Sequence, residues 1–147
     1  MATLWTIGYE RLAPDALVAE LQAAGVERVL DVRVRPQSRR PGMSKTKLGA
    51  RLAEHGIAYE SRRTLGTPPD IKPLYKSGAV QRAASAFRAH LEATAAAELD
   101  ALAGELTAPG TPATALLCLE AEPAHCHRRV VAEQLRERKP GLRVVDL

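Results

Sequence analysis

Residues 118–129 read CLEAEPAHCHRR and place thiols, carboxyl groups, imidazoles and guanidinium groups within twelve positions. Thiols and imidazoles act as nucleophiles and general bases, while guanidinium groups bind phosphates and carboxylates. The segment follows an apolar run and leads into a stretch with helical spacing. It is therefore the first candidate for a functional site in the chain.

The simplest chemistry for this segment is an anion site with a reactive thiol. Pro123 is predicted to open the last helix, so its early amides and Arg128 could hold an anion while Cys126 or His127 supplies the nucleophile or base. A helix N-terminus and neighbouring cations lower the pKa of a thiol, which favours Cys126 as the reactive cysteine. Cys118 falls in an apolar strand and is assigned to packing, and a buried packing role stays open for Cys126 as well.

A loop of the cysteine-dependent phosphatases and sulfurtransferases is a second interpretation. In those enzymes the cysteine ends a strand, and an arginine follows at a fixed spacing while the loop curls around the anion. That spacing matches neither the two positions from Cys126 to Arg128 nor the ten from Cys118. The segment LDVRVRP still resembles the Asp-Val-Arg segment of rhodanese-like domains, so rhodanese-like thiol chemistry remains an alternative.

Zinc is a third interpretation. The candidate ligands are Cys118, Cys126, His55, His125 and His127. Three of them are consecutive at a predicted helix start, where side chains point in different directions, and no spaced Cys or His pair lies elsewhere. We therefore expect no metal at this segment, and no cofactor motif is recognised in the chain.

Length and composition restrict the class of protein. The chain has 147 residues, which suits one domain over residues 1–147 with a single core. Charged residues make up 26% and hydrophobic residues 46%, values that exclude a disordered chain and a membrane protein. No apolar run reaches spanning length and the N-terminus lacks the pattern of an export signal, so we expect a cytoplasmic location and no membrane partner.

The positive charge of the chain is concentrated in one loop. The balance of 21 basic and 17 acidic residues gives only +4, but residues 33–51 hold seven cations and no acid. Pro36, Pro41 and Gly42 make this stretch a loop, and a loop of like charges repels itself unless an anion offsets it. The pattern favours an anionic small molecule or nucleic acid as partner, and a merely solvated loop is the alternative.

Apolar runs rich in β-branched residues predict five strands, at residues 4–9, 28–34, 57–60, 113–120 and 142–147. Helical spacing predicts a helix from Pro14 to Gly25, a second that Ser44 caps, one or two within residues 79–106, and a last one that begins at Pro123. Residues 61–78 contain three prolines and two glycines and are predicted to form an irregular loop, which is a candidate lid.

This alternation indicates an α/β fold, a three-layer sandwich in which a mostly parallel five-stranded sheet carries helices on both faces. Strand order cannot be read from the pattern. Ligands bind beyond the carboxyl ends of the strands in such sheets, and polar residues follow the second and fourth predicted strands. We therefore expect four candidate catalytic residues at one rim of the sheet, namely Asp31, Glu120, Cys126 and His127.

With these residues laid out, the chain resembles a bacterial and archaeal family known as domain of unknown function 488. The matching segments are TIGY, LDVRVRPQSRR, YESRRTLG and CLEAEPAHCHRRVVAEQL, which extend almost from end to end. The resemblance implies a three-layer α/β domain with a shared polar site formed by Asp31, Arg33, Arg40, Glu120, Cys126, His127 and Arg128. Tyr9 and Glu10 replace the usual His-Ser pair, and Thr67 replaces a glycine, so the ligand of this member could differ.

The family name carries no reaction, so the hypothesis depends on the residues, and whether the protein is an enzyme stays open. The leading hypothesis is an enzyme-like domain that binds a phosphorylated or anionic ligand, a nucleotide or nucleic acid. Four arginines would hold the anion, namely Arg33, Arg39, Arg40 and Arg128. The alternative is a non-catalytic binding module in which residues 31–33 and 120–128 form a structural ion-pair network.

Overall fold

The structure, a computed structural model, describes residues 2–147. The strands within this range are β1 (Thr3–Gly8), β2 (Arg28–Asp31), β3 (Ala58–Ser61), β4 (Thr114–Cys118) and β5 (Arg143–Asp146). The α-helices are α1 (Pro14–Ala23), α2 (Lys45–Glu54), α3 (Lys72–Lys76), α4 (Val80–Thr94), α5 (Ala96–Thr107) and α6 (Arg128–Arg138). Two single-turn 3₁₀-helices span Arg63–Leu65 and Pro123–His125.

The five strands form one parallel sheet in the order β3-β2-β4-β1-β5. Every residue of β4, the central strand, is buried, as its apolar sequence requires when helices cover both faces. The predicted α/β class is confirmed, and the sheet is wholly parallel. After β1 the chain leaves the neighbouring position empty and forms β2 one strand further away. β3 then pairs with the outer edge of β2, and β4 fills the position between β1 and β2.

Helices cover both faces and complete the three layers. On one face, α1 and α2 pack on the sheet through Leu17, Leu21 and Leu52, against Ile7 and Leu117. On the other face, α4, α5 and α6 pack through Phe87, Leu99 and Val131, against Leu30 and Leu116. No N-cap residue of the described helices forms a side-chain capping bond, so apolar burial rather than capping stabilises them.

Three predicted features near the rim differ from the observed structure. β2 ends at Asp31 rather than at residue 34, because the Asp31 carboxylate accepts the backbone N–H of Arg33 and turns the chain out of the sheet. Ser44 precedes α2 as predicted, but its hydroxyl bonds the backbone of Ser38 instead of capping the helix. The predicted loop at residues 61–78 contains a 3₁₀ turn and α3.

Residues 79–106 form two helices, α4 and α5, which meet at Ala95. Among the described residues, no helix is long and apolar enough to cross a membrane.

Candidate functional site

A cavity of about 200 Å³ opens at the carboxyl end of the sheet, where the segments that follow β2, β3 and β4 meet. β2 and β4 are neighbours, yet α2, which follows β2, and α6, which follows β4, lie on opposite faces. The loops that lead to α2 and α6 therefore diverge and leave a crevice. This is the position at which parallel α/β sheets bind ligands.

The inner wall of the cavity is built around the imidazole of His127. Its Nδ1 lies 3.5 Å from Sγ of Cys118 and 4.0 Å from Sγ of Cys126. Its Nε2 lies 2.8 Å from the carbonyl oxygen of Val32. Because a carbonyl only accepts, Nε2 carries the hydrogen, and Nδ1 carries the lone pair of the neutral ring. Sγ of Cys118 also lies 3.8 Å from Nε2, so this sulfur contacts the side of the ring rather than lying along the Nδ1 lone pair.

The local backbone explains how two adjacent side chains reach the same point. The prediction that Pro123 opens the last α-helix is wrong, because the 3₁₀ turn Pro123–His125 ends at Cys126, which is extended (φ −126°, ψ 140°). α6 begins only at Arg128, after His127 at the N-cap position. The premise that residues 125–127 diverge as on a helix therefore does not apply, and residues 126 and 127 both approach Cys118.

The two thiols differ in acidity. Burial and the adjacent Cys126 raise the pKa of Cys118 well above its ordinary value. Burial opposes ionisation of Cys126 too, but the neighbouring Cys118 thiol and the ring of His127 outweigh it and lower the pKa of Cys126. Burial disfavours the charged ring, yet its contact with Cys126 raises the pKa of His127. The arrangement therefore favours negative charge on one sulfur.

Glu120 lies beside this group at the start of the β4–α6 loop. Its Oε2 is 3.8 Å from Sγ of Cys118. Burial, followed by the negative charge of Cys126, raises the pKa of Glu120 to about 7. A carboxyl group with that pKa exchanges its proton near neutral pH, as general acid–base catalysis requires.

A buried ion pair supports the cavity from the β2 side. Arg33 donates from Nη2 and Nε to the carboxylate of Asp31, at 2.7 and 2.9 Å. Its Nη1 donates to the Tyr9 hydroxyl and to the Met43 carbonyl, and Tyr59 donates its hydroxyl to Asp31. Of the five N–H groups of the guanidinium, one therefore stays free, and Arg33 lines the cavity.

Two further arginines hold the loops around the cavity. Arg40 donates to the carbonyl groups of Tyr9, Glu10 and Leu12 in the β1–α1 loop. Arg128, with 0% of its surface exposed, donates to the carbonyl groups of residues 120 and 121 and, from Nε, to the Thr6 hydroxyl. Arg40 thus joins the β2–α2 loop to the β1–α1 loop, and Arg128 joins the β4–α6 loop to β1.

The outer wall supplies cations and unsatisfied hydroxyl groups. Arg35, Lys72 and Lys76 line the cavity and form no ion pair with any described residue. The hydroxyl oxygens of Thr67 and Tyr75 are buried without a hydrogen-bond partner within residues 2–147. Thr67 is only 4% exposed. Buried hydroxyls without partners are uncommon and mark a place where a polar ligand fits.

An open basic groove of about 790 Å³ adjoins the cavity at Arg35, which lines both. The β2–α2 loop, the start of α2 and Arg63 form it, and its cations are Arg35, Arg39, Arg40, Lys45, Lys47 and Arg63. Among the described residues that line this groove there is no acid. The concentration of positive charge seen in the sequence thus lies beside the cavity.

The sequence profile of a family described as Domain of unknown function DUF488 matches residues 13–135. This range includes every cavity-lining residue except Tyr9. The chain belongs to the DUF488 family. No curated protein and no solved structure matches the chain. The chemistry of this DUF488 domain must therefore be argued from its own cavity.

The candidate catalytic residues of this DUF488 domain lie together. Glu120 and His127 line the cavity, and Cys126 lies behind them with 2% of its surface exposed. Asp31 is fully buried and contacts Arg33 rather than the cavity. The end of β2 and the β4–α6 loop are joined by the hydrogen bond from His127 to the carbonyl of Val32, which follows Asp31.

The four arginines predicted to bind an anion occupy different positions. Arg33 lines the cavity with one free N–H. Arg39 is exposed and lines the groove. Arg40 and Arg128 direct their donors at backbone carbonyls, although Arg40 also lines the groove.

Part of the cavity wall does not follow from the sequence pattern. An apolar strand predicts a packing role for Cys118, yet its sulfur contacts His127 and lines the cavity. Lys72 and Tyr75 lie in a predicted loop, because a five-residue helix is too short to show periodicity. The one sequence signal for Thr67 is the loss of the glycine that the family pattern has at this position.

Proposed function

We propose that this DUF488 domain binds a small phosphorylated ligand in the cavity, with the phosphate at the outer wall and the rest of the ligand toward the inner wall. The observation that carries the proposal is the pair of buried hydroxyls, on Thr67 and Tyr75, that have no partner within the described chain and line one cavity together with unpaired cations. Each hydroxyl regains a hydrogen bond when an anion oxygen enters.

The charge around the cavity supports an anion rather than a neutral ligand. Arg33, Arg35, Lys72 and Lys76 line it, whereas Glu120 is the one acid among the described lining residues. The carboxylate of Asp31 offsets Arg33, so three cations remain uncompensated. An oxygen-rich dianion satisfies such a set better than a single carboxylate does.

Size limits the ligand. The cavity of about 200 Å³ is smaller than the roughly 300–1,000 Å³ of sites for drug-sized molecules. A phosphate with a few further atoms fills it. A larger phosphorylated ligand, a nucleotide or a nucleic-acid segment, would extend from Arg35 along the basic groove.

The inner wall carries groups that could act as a general acid or base, or as a nucleophile. A ligand in the cavity meets Glu120, which exchanges a proton near neutral pH, and the pair formed by His127 and Cys118. Asp31 and Arg128 would act as positioning residues, because their contacts hold Arg33 and the loop carbonyls rather than facing the cavity.

Isothermal titration with inorganic phosphate, a nucleoside monophosphate and an oligonucleotide tests the proposal. We expect binding that weakens with salt and falls about tenfold, about 1.4 kcal/mol, in Arg35→Gln. Arg136→Gln is the matched control, because Arg136 is an exposed cation in the last turn of α6, at the far end from the cavity. An equal loss of affinity in both variants, or an affinity that does not change with salt concentration, contradicts a specific anion site.

A comparison of the monophosphate with the oligonucleotide shows whether the ligand stays in the cavity or extends along the groove. If the cavity alone binds, the monophosphate and the oligonucleotide respond equally to Arg35→Gln, and Arg39→Gln has no effect. If the ligand extends along the groove, Arg39→Gln weakens the oligonucleotide and leaves the monophosphate unchanged, because Arg39 lines only the groove.

A further inference from the structure

We propose that Cys118, Cys126 and His127 form a zinc site, with three protein ligands and a fourth coordination position directed at the cavity. The ligand atoms are Sγ of both cysteines and Nδ1 of His127, and all three lie within 4.8 Å of one another. This inference does not depend on the anionic ligand proposed above, because zinc binding needs none of the outer-wall cations.

The two sulfur–nitrogen distances are close to the edges of a zinc tetrahedron. With Zn–S of about 2.3 Å and Zn–N of about 2.0–2.1 Å, tetrahedral geometry separates S and N ligands by about 3.5 Å and two S ligands by about 3.8 Å. The sulfur of Cys118 is 3.5 Å from Nδ1 of His127, and the sulfur of Cys126 is 4.0 Å from it. Sγ of Cys118 also lies 3.8 Å from Nε2, beside the ring, so binding an ion requires the Cys118 side chain to rotate toward the Nδ1 lone pair.

The imidazole is held with Nδ1 free to bind a metal. Nε2 of His127 donates to the carbonyl of Val32, which leaves the lone pair of the neutral ring on Nδ1. Ligating histidines usually donate their other ring N–H to a carbonyl or carboxylate, which fixes the ring. The ring of Phe87 packs edge-on against the imidazole, with centroids 5.5 Å apart, and restricts its rotation further.

Charge and ligand type favour zinc over other ions. All three residues are buried, and buried charge is stable only when it is paired or coordinates a metal. Two thiolates, a neutral imidazole and one Zn²⁺ sum to zero charge. Sulfur ligands select zinc against magnesium or calcium, which bind oxygen.

The site is open on one side. Cys118 and His127 line the cavity, so an ion between them and Cys126 has a position available for water or a ligand. Glu120 borders that position, with Oε2 3.8 Å from Sγ of Cys118. Three protein ligands and one open position distinguish catalytic zinc sites from closed structural ones. The proposal therefore assigns the cavity a metal-bound water as well as an anion-binding wall.

Cobalt substitution and metal analysis of the purified full chain under reducing conditions test the proposal. We expect one Zn²⁺ per chain by mass spectrometry, removable by a chelator. We expect Co²⁺ to give thiolate-to-metal charge-transfer absorption with an intensity for two thiolates, together with the strong visible bands of tetrahedral cobalt. Cys118→Ser and Cys126→Ser should each halve the charge-transfer band or abolish binding.

His125→Gln is the matched control. His125 lines the cavity next to the three proposed ligands but is not one of them. It should bind cobalt as the wild type does, whereas His127→Gln should not. If a cysteine variant fails to fold, the wild-type spectrum alone decides. Cobalt bound without thiolate absorption, or a folded, reduced wild type that binds neither ion, overturns the proposal. Both measurements are made without any anionic ligand, so they are independent of the phosphate titration.

Discussion

Arg33 places Nη2 2.7 Å from Oδ2 of Asp31, and both side chains are buried, at 5% and 0% exposed. Removing one partner leaves the other charge without compensation inside the protein. We expect Arg33→Met to lower the free energy of unfolding by about 3–5 kcal/mol, measured by urea denaturation.

Two comparisons make this test specific. Asp31→Asn combined with Arg33→Met should recover part of the loss, because no unpaired charge remains. Arg51→Met breaks the exposed pair with Asp15 and should cost less than about 1 kcal/mol. Equal losses in Arg33→Met and Arg51→Met would show that burial of the first pair has no energetic consequence.

Gly8 ends β1 against the loop that follows β4. A Cβ at this position would lie 1.7 Å from the carbonyl oxygen of Glu120, which Arg128 holds in place. Because backbone rather than a flexible side chain must move, we expect Gly8→Ala to cost about 3 kcal/mol or to prevent folding. The measurement is again urea denaturation.

Gly104→Ala is the control for Gly8→Ala. Gly104 lies in α5 with nothing within 4 Å of its added Cβ, so alanine should stabilise the helix by about 0.5–1 kcal/mol. A neutral Gly8→Ala would mean that the loop of Glu120 moves freely, contrary to its contact with β1.

Tyr59 donates its hydroxyl hydrogen to Asp31, and burial followed by this acceptor raises the pKa of Tyr59 above its ordinary value of 10.0. The folded state holds this proton more tightly than the unfolded chain does. Its contribution to stability is therefore complete below about pH 10 and is lost as the pH rises through the raised pKa. We expect the free energy of unfolding of Tyr59→Phe to fall less than that of the wild type as the pH rises above about 10.

Absorbance titration of the phenolate band provides a direct check. The titration of the wild type should show one tyrosine that ionises at a higher pH than free tyrosine, and this step should be absent in Tyr59→Phe. Tyr75 also has a raised pKa through burial, so the double variant with Tyr75→Phe separates the two. Ionisation of Tyr59 at its ordinary pH would contradict its bond to Asp31.

Tyr75 and Thr67 carry hydroxyls that lack partners within residues 2–147. Removing an unpaired buried hydroxyl costs little in the ligand-free protein, so Tyr75→Phe and Thr67→Val should unfold at the same urea concentration as the wild type or a higher one. Phosphate affinity should fall by about 0.5–1.5 kcal/mol in each, measured by titration calorimetry. Lower stability with unchanged affinity would exclude these hydroxyls from the ligand site.

The sequence predicts the α/β class because its strands are apolar runs and its helices have helical spacing. It does not predict strand order, since the same pattern of elements is compatible with several crossovers. The convergence of Asp31 and His127 follows from the rule that parallel strands end at one edge. The position of Cys126 does not, because an extended residue between a 3₁₀ turn and a helix has no signature in composition or spacing.

The roles of the arginines illustrate the same limit. The charge density of residues 33–51 predicts an anionic partner, and five of the seven cations in this range line the groove. Which guanidinium is free depends on carbonyl groups that come from other parts of the chain. Arg40 contacts carbonyls about thirty positions away, and Arg128 contacts a hydroxyl on β1. Such long-range acceptors cannot be identified from local sequence.

Cys118 ends the central strand of the sheet, with β1 and β2 hydrogen-bonded on either side. Backbone amides in such a strand exchange with solvent only through global unfolding, whereas a short, marginal helix opens locally and often. The sulfur therefore belongs to the most persistent part of the molecule, and α3 belongs to a far less persistent part. We therefore expect amide hydrogen exchange to be slowest in β4 and faster in α3, so the inner and outer walls of the cavity differ in local stability.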